Sequence, residues 1–222
     1  MLTQFKPLIE KSIKRNFAAG TNVIMQGEKP KYVGIILKGV VRVYNISARG
    51  DEQILIYYVP GDFFPCLWVF DQTEVALFFY EAAEDCEIAL VSKDDFLNFA
   101  TQDTNCLRAL MRHVAGNYAA SLLRITALEQ AKARDKLLYT LYYLCCRYGK
   151  QTAKRVEIGI SLTHQNLAAL TGLTRETAAT EMNRLKTCKM LTYDHQTYRV
   201  NLPVLLDALG EDSFGNIKNI GN

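Results

Sequence analysis

The segment Thr163–Leu191, THQNLAALTGLTRETAATEMNRLKTCKML, leaves few folds open, because two short helical patterns are interrupted at a fixed place by Leu-Thr-Gly-Leu-Thr. That is the layout of a helix-turn-helix. Thr163 is placed to cap a first helix whose Leu167, Ala168 and Leu170 point inward, Gly172 supplies the backbone freedom of a sharp turn, and Thr174 caps a second helix. On that second helix Ala178, Met182 and Leu185 recur at helical spacing and face a core. The opposite face then carries Arg175, Glu176, Ala179, Thr180 and Asn183, small or hydrogen-bonding groups suited to a major groove. An antiparallel helix pair in an enzyme, with Arg175 and Glu176 merely solvated, imitates the same pattern.

Charge separates these alternatives. Residues 134–203 carry 11 Lys and Arg against 5 Asp and Glu, whereas residues 51–103 carry 12 Asp and Glu against the single base Lys93. The C-terminal end suits phosphates and the middle does not. No paired carboxylates, nucleophile-base set or phosphate loop stands at usable spacing, so an enzyme is not expected. The alternative from another class is a ligand-binding module whose C-terminal helices make protein contacts. No N-terminal apolar run follows Met-Leu-Thr-Gln-Phe-Lys, and Leu137–Cys146 is about half the length of a bilayer span, so a cytoplasmic chain with no membrane partner is expected. Six cysteines, at 66, 86, 106, 145, 146 and 188, show no CxxC pair or zinc-like spacing and read as reduced, small apolar residues.

The first half reads as β-structure. Segments 23–26, 32–37, 40–46, 53–58, 76–82 and 87–91 are short and rich in Val, Ile, Tyr and Phe. Turn signals stand between them at Gly20, 27–30, Gly39, 49–51 and 60–62, which suggests a small antiparallel barrel or roll. A helical stretch follows over 105–132. Its Met111, Val114, Tyr118, Ser121, Ile125 and Leu128 follow alternating steps of three and four, either a coiled-coil seam or a stripe packed on the chain's own roll. Beyond it, residues 134–148 read as an amphipathic helix and 155–160 as a strand. After the helix-turn-helix, 190–193 and 198–201 form a hairpin around 194–197, completing a winged helix. The hairpin brings His195 or Arg199 toward a phosphate, though each is equally an exposed turn or strand residue. The tail 210–222, rich in Gly and Asn, is expected to be poorly ordered.

Leu-Thr-Arg-Glu-Thr-Ala after a Gly resembles the recognition-helix signature of the Crp/Fnr family of bacterial transcription regulators. Leu-Lys-Gly-Val-Val-Arg-Val at 37–43 and Pro-Gly-Asp-Phe-Phe at 60–64 resemble that family's cyclic-nucleotide-binding β-roll, so the likeness spans nearly the whole chain. It implies an α+β fold of three parts: an N-terminal antiparallel β-roll sensor domain over 1–104, a long dimerisation helix over 105–133, and a winged helix-turn-helix DNA-binding domain over 134–222. It further implies a homodimeric, sequence-specific regulator on double-stranded DNA with an inverted-repeat operator, and admits RNA polymerase as a partner. The DNA-facing candidates are Thr163, His164, Gln165, Thr174, Arg175, Glu176, Thr177, Ala179, Thr180 and Asn183. Cyclic-AMP-responsive members carry Arg-Glu-Thr-Val-Gly-Arg, whose two arginines read guanines and whose Glu accepts from a cytosine. Here Arg175 and Glu176 are kept, whereas Thr180 replaces the second Arg.

The effector is where the resemblance departs. Cyclic-nucleotide-binding members hold the phosphate with an Arg-Ser-Ala or Arg-Thr-Ala segment, but between Arg49 and Arg108 the only basic residue here is Lys93, which argues against cyclic AMP. No Cys precedes Cys66, against the N-terminal iron–sulfur cluster of the family's oxygen sensors. Haem would need His113, which sits beside seam residue Val114 and reads as a helix-surface or interface histidine. The aromatic run Phe63, Phe64, Trp68, Phe70, Phe78, Phe79 and Tyr80 is either plain core or the lining of a site for a neutral, apolar ligand. The candidate effector pocket is Phe63, Phe64, Trp68, Phe78 and Tyr80 with Tyr118 and Arg124 from the helix. Asn117 and Arg124, next to the seam, are candidates to set register or touch the effector. No metal site is expected, and the effector and any cofactor are left unassigned.

Overall fold

The structure is a computed structural model that describes residues 2–152 and 155–210. The expected tail, apart from Gly210, lies outside the described residues. The chain divides into two compact units, 1–114 and 115–222, the division falling within one long helix, α4 (Thr104–Glu129).

The first unit holds α1 (Leu2–Glu10), β1 (Ile13–Phe17), β2 (Asn22–Ile24), β3 (Val33–Lys38), β4 (Val41–Ile46), β5 (Glu52–Tyr58), β6 (Phe63–Phe64), α2 (Cys66–Val69), β7 (Phe79–Ala82), β8 (Cys86–Val91) and α3 (Lys93–Gln102). Its strands form two four-stranded antiparallel sheets, in the orders β1-β8-β3-β6 and β2-β7-β4-β5. Period-two alternation builds two cores from the first sheet. Ile36, Phe64, Cys86 and Ile88 face the second sheet, meeting Val41, Val43, Tyr58, Tyr80 and Ala82. Val33, Ile35, Phe63, Ala89 and Val91 face the helices, meeting Phe5 and Ile9 of α1, Phe96 and Ala100 of α3, and Cys106 and Leu110 of α4. Gly34 allows the close approach of the Phe64 ring, since a Cβ there would lie 2.7 Å from its Cζ. This is the expected antiparallel roll.

Several elements differ from the sequence reading. β1 was not expected, because Lys14, Arg15 and Asn16 break any apolar alternation; it is an edge strand, paired only with β8, whose first four residues are exposed. α3 was also not expected, although Ser92 accepts from Asp95 N as its N-cap and Asp94 and Asp95 occupy its first turn. The strand expected over 76–82 is shortened to Phe79–Ala82, because Ala76 exchanges backbone hydrogen bonds with Gly27 and Glu28 instead.

The second unit holds the rest of α4, then α5 (Ala133–Tyr148), β9 (Gly149–Gln151), β10 (Val156–Ile158), α6 (His164–Thr171), α7 (Arg175–Thr187), β11 (Leu191–Asp194), β12 (Thr197–Val200) and α8 (Leu202–Leu209). The four strands pair in the order β11-β12-β10-β9, all antiparallel. Its core gathers Leu137, Leu141 and Leu144 of α5, Leu167 and Leu170 of α6, Ala178, Met182 and Leu185 of α7, and Leu205 of α8. Among the described residues no helix is long and apolar enough to cross a membrane.

Candidate nucleic-acid interface

The helix-turn-helix is held by caps at each junction. Asn166 N donates to Thr163 Oγ1 (3.1 Å) and Thr163 N donates to Asn166 Oδ1 (2.9 Å), a reciprocal box that satisfies the first turn of α6. Gly172 ends α6 in the left-handed region (φ 65°), with its N–H on Ala168 O. Thr177 N then donates to Thr174 Oγ1 (3.2 Å), and the Thr174 and Thr177 hydroxyls lie 2.9 Å apart, so both are committed to starting α7.

From that start α7 divides by face. Ala178, Met182 and Leu185 are buried, while Arg175, Glu176, Thr180 and Asn183 are exposed and Ala179 is half-buried. Among the described residues Arg175 and Glu176 make no side-chain hydrogen bond or ion pair, so an acidic and a basic hydrogen-bonding group stand unengaged at a helix N-terminus. Gln165 is likewise exposed on the first turn of α6. His164 instead packs its ring edge-on against Tyr193, with centroids 5.7 Å apart.

The hairpin β11–β12 turns through His195, at φ 52° and exposed, with Nδ1 2.8 Å from Asp194 Oδ1. Arg199 is an exposed strand residue. It faces Glu157 across the β10–β12 ladder and donates from Nε to Glu157 Oε2 at 2.7 Å, a surface ion pair that engages part of its guanidinium. Sequence reasoning missed Lys186 of α7 and the wing tyrosine Tyr193, whose ring lies 4.5 Å from Lys186 Nζ, whereas the neighbouring Arg184 is paired with Glu181 of the same helix. The missed signal was the step of three from Asn183 to Lys186.

The aromatic run of the first unit does not form one pocket, because neighbouring strand residues point to opposite sides. Phe63 enters the helix-side core against Phe96 (5.0 Å) and Phe70 (6.1 Å), whereas Phe64 enters the inter-sheet core, stacked on Tyr80 (5.4 Å) and Tyr58 (6.0 Å). Trp68 packs beside the helix-side core and Phe78 beside the inter-sheet core. Burial holds the Tyr80 hydroxyl far above its ordinary pKa, as befits a filled interior. Tyr118 is 66% exposed and belongs to the second unit, as does buried Arg124, whose guanidinium lies 5.6 Å from the Tyr143 ring. Asn117, in the same unit, accepts from Arg147 Nη2 at 3.2 Å. A groove of about 580 Å³ between α1, α3 and the ends of β1 and β8 is lined by Leu8, Ile13, Tyr32, Leu90 and Phe99, and by none of the pocket candidates.

Lys93, the lone cation of the middle segment, donates to Trp68 O (3.0 Å) and pairs with Asp71, so it ties α3 to the end of α2. His113 is not a surface histidine. Its side chain is buried with Nδ1 3.6 Å from Oδ1 of fully buried Asp62, and its ring lies 5.0 Å from that of Phe63. The reading failed because the one-residue offset from Val114 turns His113 onto the Asp62–Phe63 turn.

The architecture is that of an antiparallel β-roll followed by a winged helix-turn-helix, and comparison with known proteins agrees in both halves. The family model described as a cyclic nucleotide-binding domain matches residues 14–103, and that described as a Crp-like helix-turn-helix domain matches residues 135–208. A fumarate and nitrate reduction regulatory protein of Shigella dysenteriae is 27% identical over 195 residues, 86% of this chain and 74% of that protein. A probable transcriptional activator of Rhizobium leguminosarum bv. viciae is 25% identical over 183 residues, 82% of this chain and 75% of that protein. The solved structure of FixK2 from Bradyrhizobium japonicum shares the fold at a TM-score of 0.72, with 20% identity over 88% of this chain and 96% of that one. The chain belongs to the Crp/Fnr family of transcription regulators.

Proposed function

We propose that this DNA-binding regulator acts as a homodimer in which each α7 reads one half of an inverted repeat. The observation that carries the reading is the division of α7: a buried Ala178–Met182–Leu185 stripe fixes the helix, and Arg175 and Glu176 are left exposed and unengaged at its start. Arg175 makes a bidentate contact to the O6 and N7 of one guanine, and Glu176 accepts from a cytosine amino group. Thr180 is too short for a second guanine contact. Gln165 faces a phosphate, where it sets register, while the hydroxyls of Thr163, Thr174 and Thr177 hold the two helix starts that aim it and Arg175. The roll is the sensor part, α4 the dimerisation element and 134–222 the DNA-binding domain.

Dimerisation is supported by the apolar stripe of α4. Met111, Tyr118 and Ile125 are 64%, 66% and 51% exposed, and Leu107, Val114, Leu122 and Leu128 are also exposed, a surface that a single chain leaves in water. A ligand of the roll would act by binding the DNA-competent dimer more tightly than the incompetent one, each 1.4 kcal/mol of preference shifting the ratio about tenfold. The test is selection of bound sequences from random DNA. The reading requires an inverted repeat with half-sites about one helical turn apart. Recovery of single, unpaired sites would overturn it.

A further inference from the structure

The wing strand β11 contributes one side chain that touches both helices of the helix-turn-helix. The Tyr193 ring is edge-on to His164, the first residue of α6, tilted against Tyr198 (5.2 Å), and covered by the Lys186 ammonium (4.5 Å). Its hydroxyl donates to Asn183 Oδ1 at 2.8 Å. Asn183 itself stands on the exposed stripe of α7, four and three residues apart from Glu176 through Thr180.

A free carboxamide offers an acceptor and a donor side by side, the pair that matches the N6 and N7 of adenine. With Oδ1 turned to Tyr193 to accept its hydroxyl, the groups of the Asn183 amide left without a hydrogen-bond partner among the described residues are its Nδ2 donors. Donors alone match fully the edges that present acceptors, N7 and O6 of guanine or O4 of thymine, whereas on adenine they reach N7 and leave the amino group unmatched. We infer that Tyr193 is a specificity-determining positioning residue: by occupying the Asn183 carbonyl it turns an adenine-reading side chain into a reader of acceptor-bearing bases. Tyr193 needs no contact with DNA for this, and its half-buried ring keeps Lys186 and His164 in place beside Asn183.

The inference rests on the proposed DNA-binding reading, and the experiment separates the two. Wild type, Tyr193→Phe, Asn183→Ala and the double variant are each measured against operator variants changed at every base of a half-site, with melting curves to verify folding. The base pair facing Asn183 is the one whose ranking Asn183→Ala alters. At that position wild type prefers guanine or thymine over adenine, and Tyr193→Phe, which keeps the ring contacts, raises relative affinity for adenine about tenfold. In the Asn183→Ala background Tyr193→Phe changes nothing further. The same base ranking in wild type and Tyr193→Phe, a uniform loss across all operators, or an undiminished shift in the Asn183→Ala background overturns the inference alone. Failure of wild type to select any operator overturns the DNA-binding reading and the inference with it.

Discussion

Ile125→Asp isolates the role of α4. Ile125 is 51% exposed in the single chain, so an aspartate there meets water and leaves the helix intact at a cost of a few tenths of a kcal/mol. Fully burying an Ile side chain yields about 1.5–3 kcal/mol, so covering the exposed half contributes about 1 kcal/mol. Two-fold symmetry doubles that to about 2 kcal/mol. The substitution also sets two like-charged carboxylates against an apolar seam, which costs at least about 2 kcal/mol more. The sum, about 4 kcal/mol, weakens the dimer by about three orders of magnitude. Sedimentation velocity at micromolar protein should show wild type as a dimer and Ile125→Asp as a folded monomer. Affinity for an inverted repeat should collapse while affinity for an isolated half-site is kept. A variant that sediments as an intact dimer would refute the argument and assign the stripe to packing within one chain.

Two further predictions concern the roll and the thiols. Because Lys93 is already held by Trp68 and Asp71, cyclic AMP and cyclic GMP should leave the melting temperature unchanged at micromolar concentration; a clear rise would show binding to the folded state. Burial raises the thiol pKa of Cys145 and Cys146, and pushes Cys66 up to about 11 from an ordinary 9.0, so alkylation of the native protein near pH 8 should modify exposed Cys188 and spare these three. The sign for stability follows: folded values above the unfolded ones stabilise below about pH 9, and that contribution is lost as pH rises toward 11. Mass mapping that finds Cys145 or Cys146 labelled before Cys188 would contradict the burial.

The helix-turn-helix was legible because its constraints are local. A turn through φ 65° needs Gly172, and each helix start needs a hydroxyl at the cap, so Thr163 and Thr174 mark the boundaries directly. The roll was legible as a class, from repeated β-branched and aromatic runs between turn signals, but not in its edge strand, where one-sided pairing relaxes the demand for apolar alternation. The aromatic run misled because closeness in sequence is not closeness in a sheet: Phe63 and Phe64 are adjacent in the chain and lie in different cores. Arg199 and Tyr193 were illegible for the opposite reason. What each does depends on a partner from another element, Glu157 on β10 and Asn183 on α7, and no spacing along the chain encodes those meetings.

The central claim is that α7 reads bases through its first turn, and single-base operator variants test it with wild type and Arg175→Ala side by side. If Arg175 contacts one guanine bidentately, Arg175→Ala loses about 1–3 kcal/mol on the selected operator and becomes indifferent at one G·C pair per half-site, while the ranking at other positions is unchanged. If the variant weakens every operator equally and keeps its preference at each base, Arg175 is a phosphate contact and the reading of α7 is wrong.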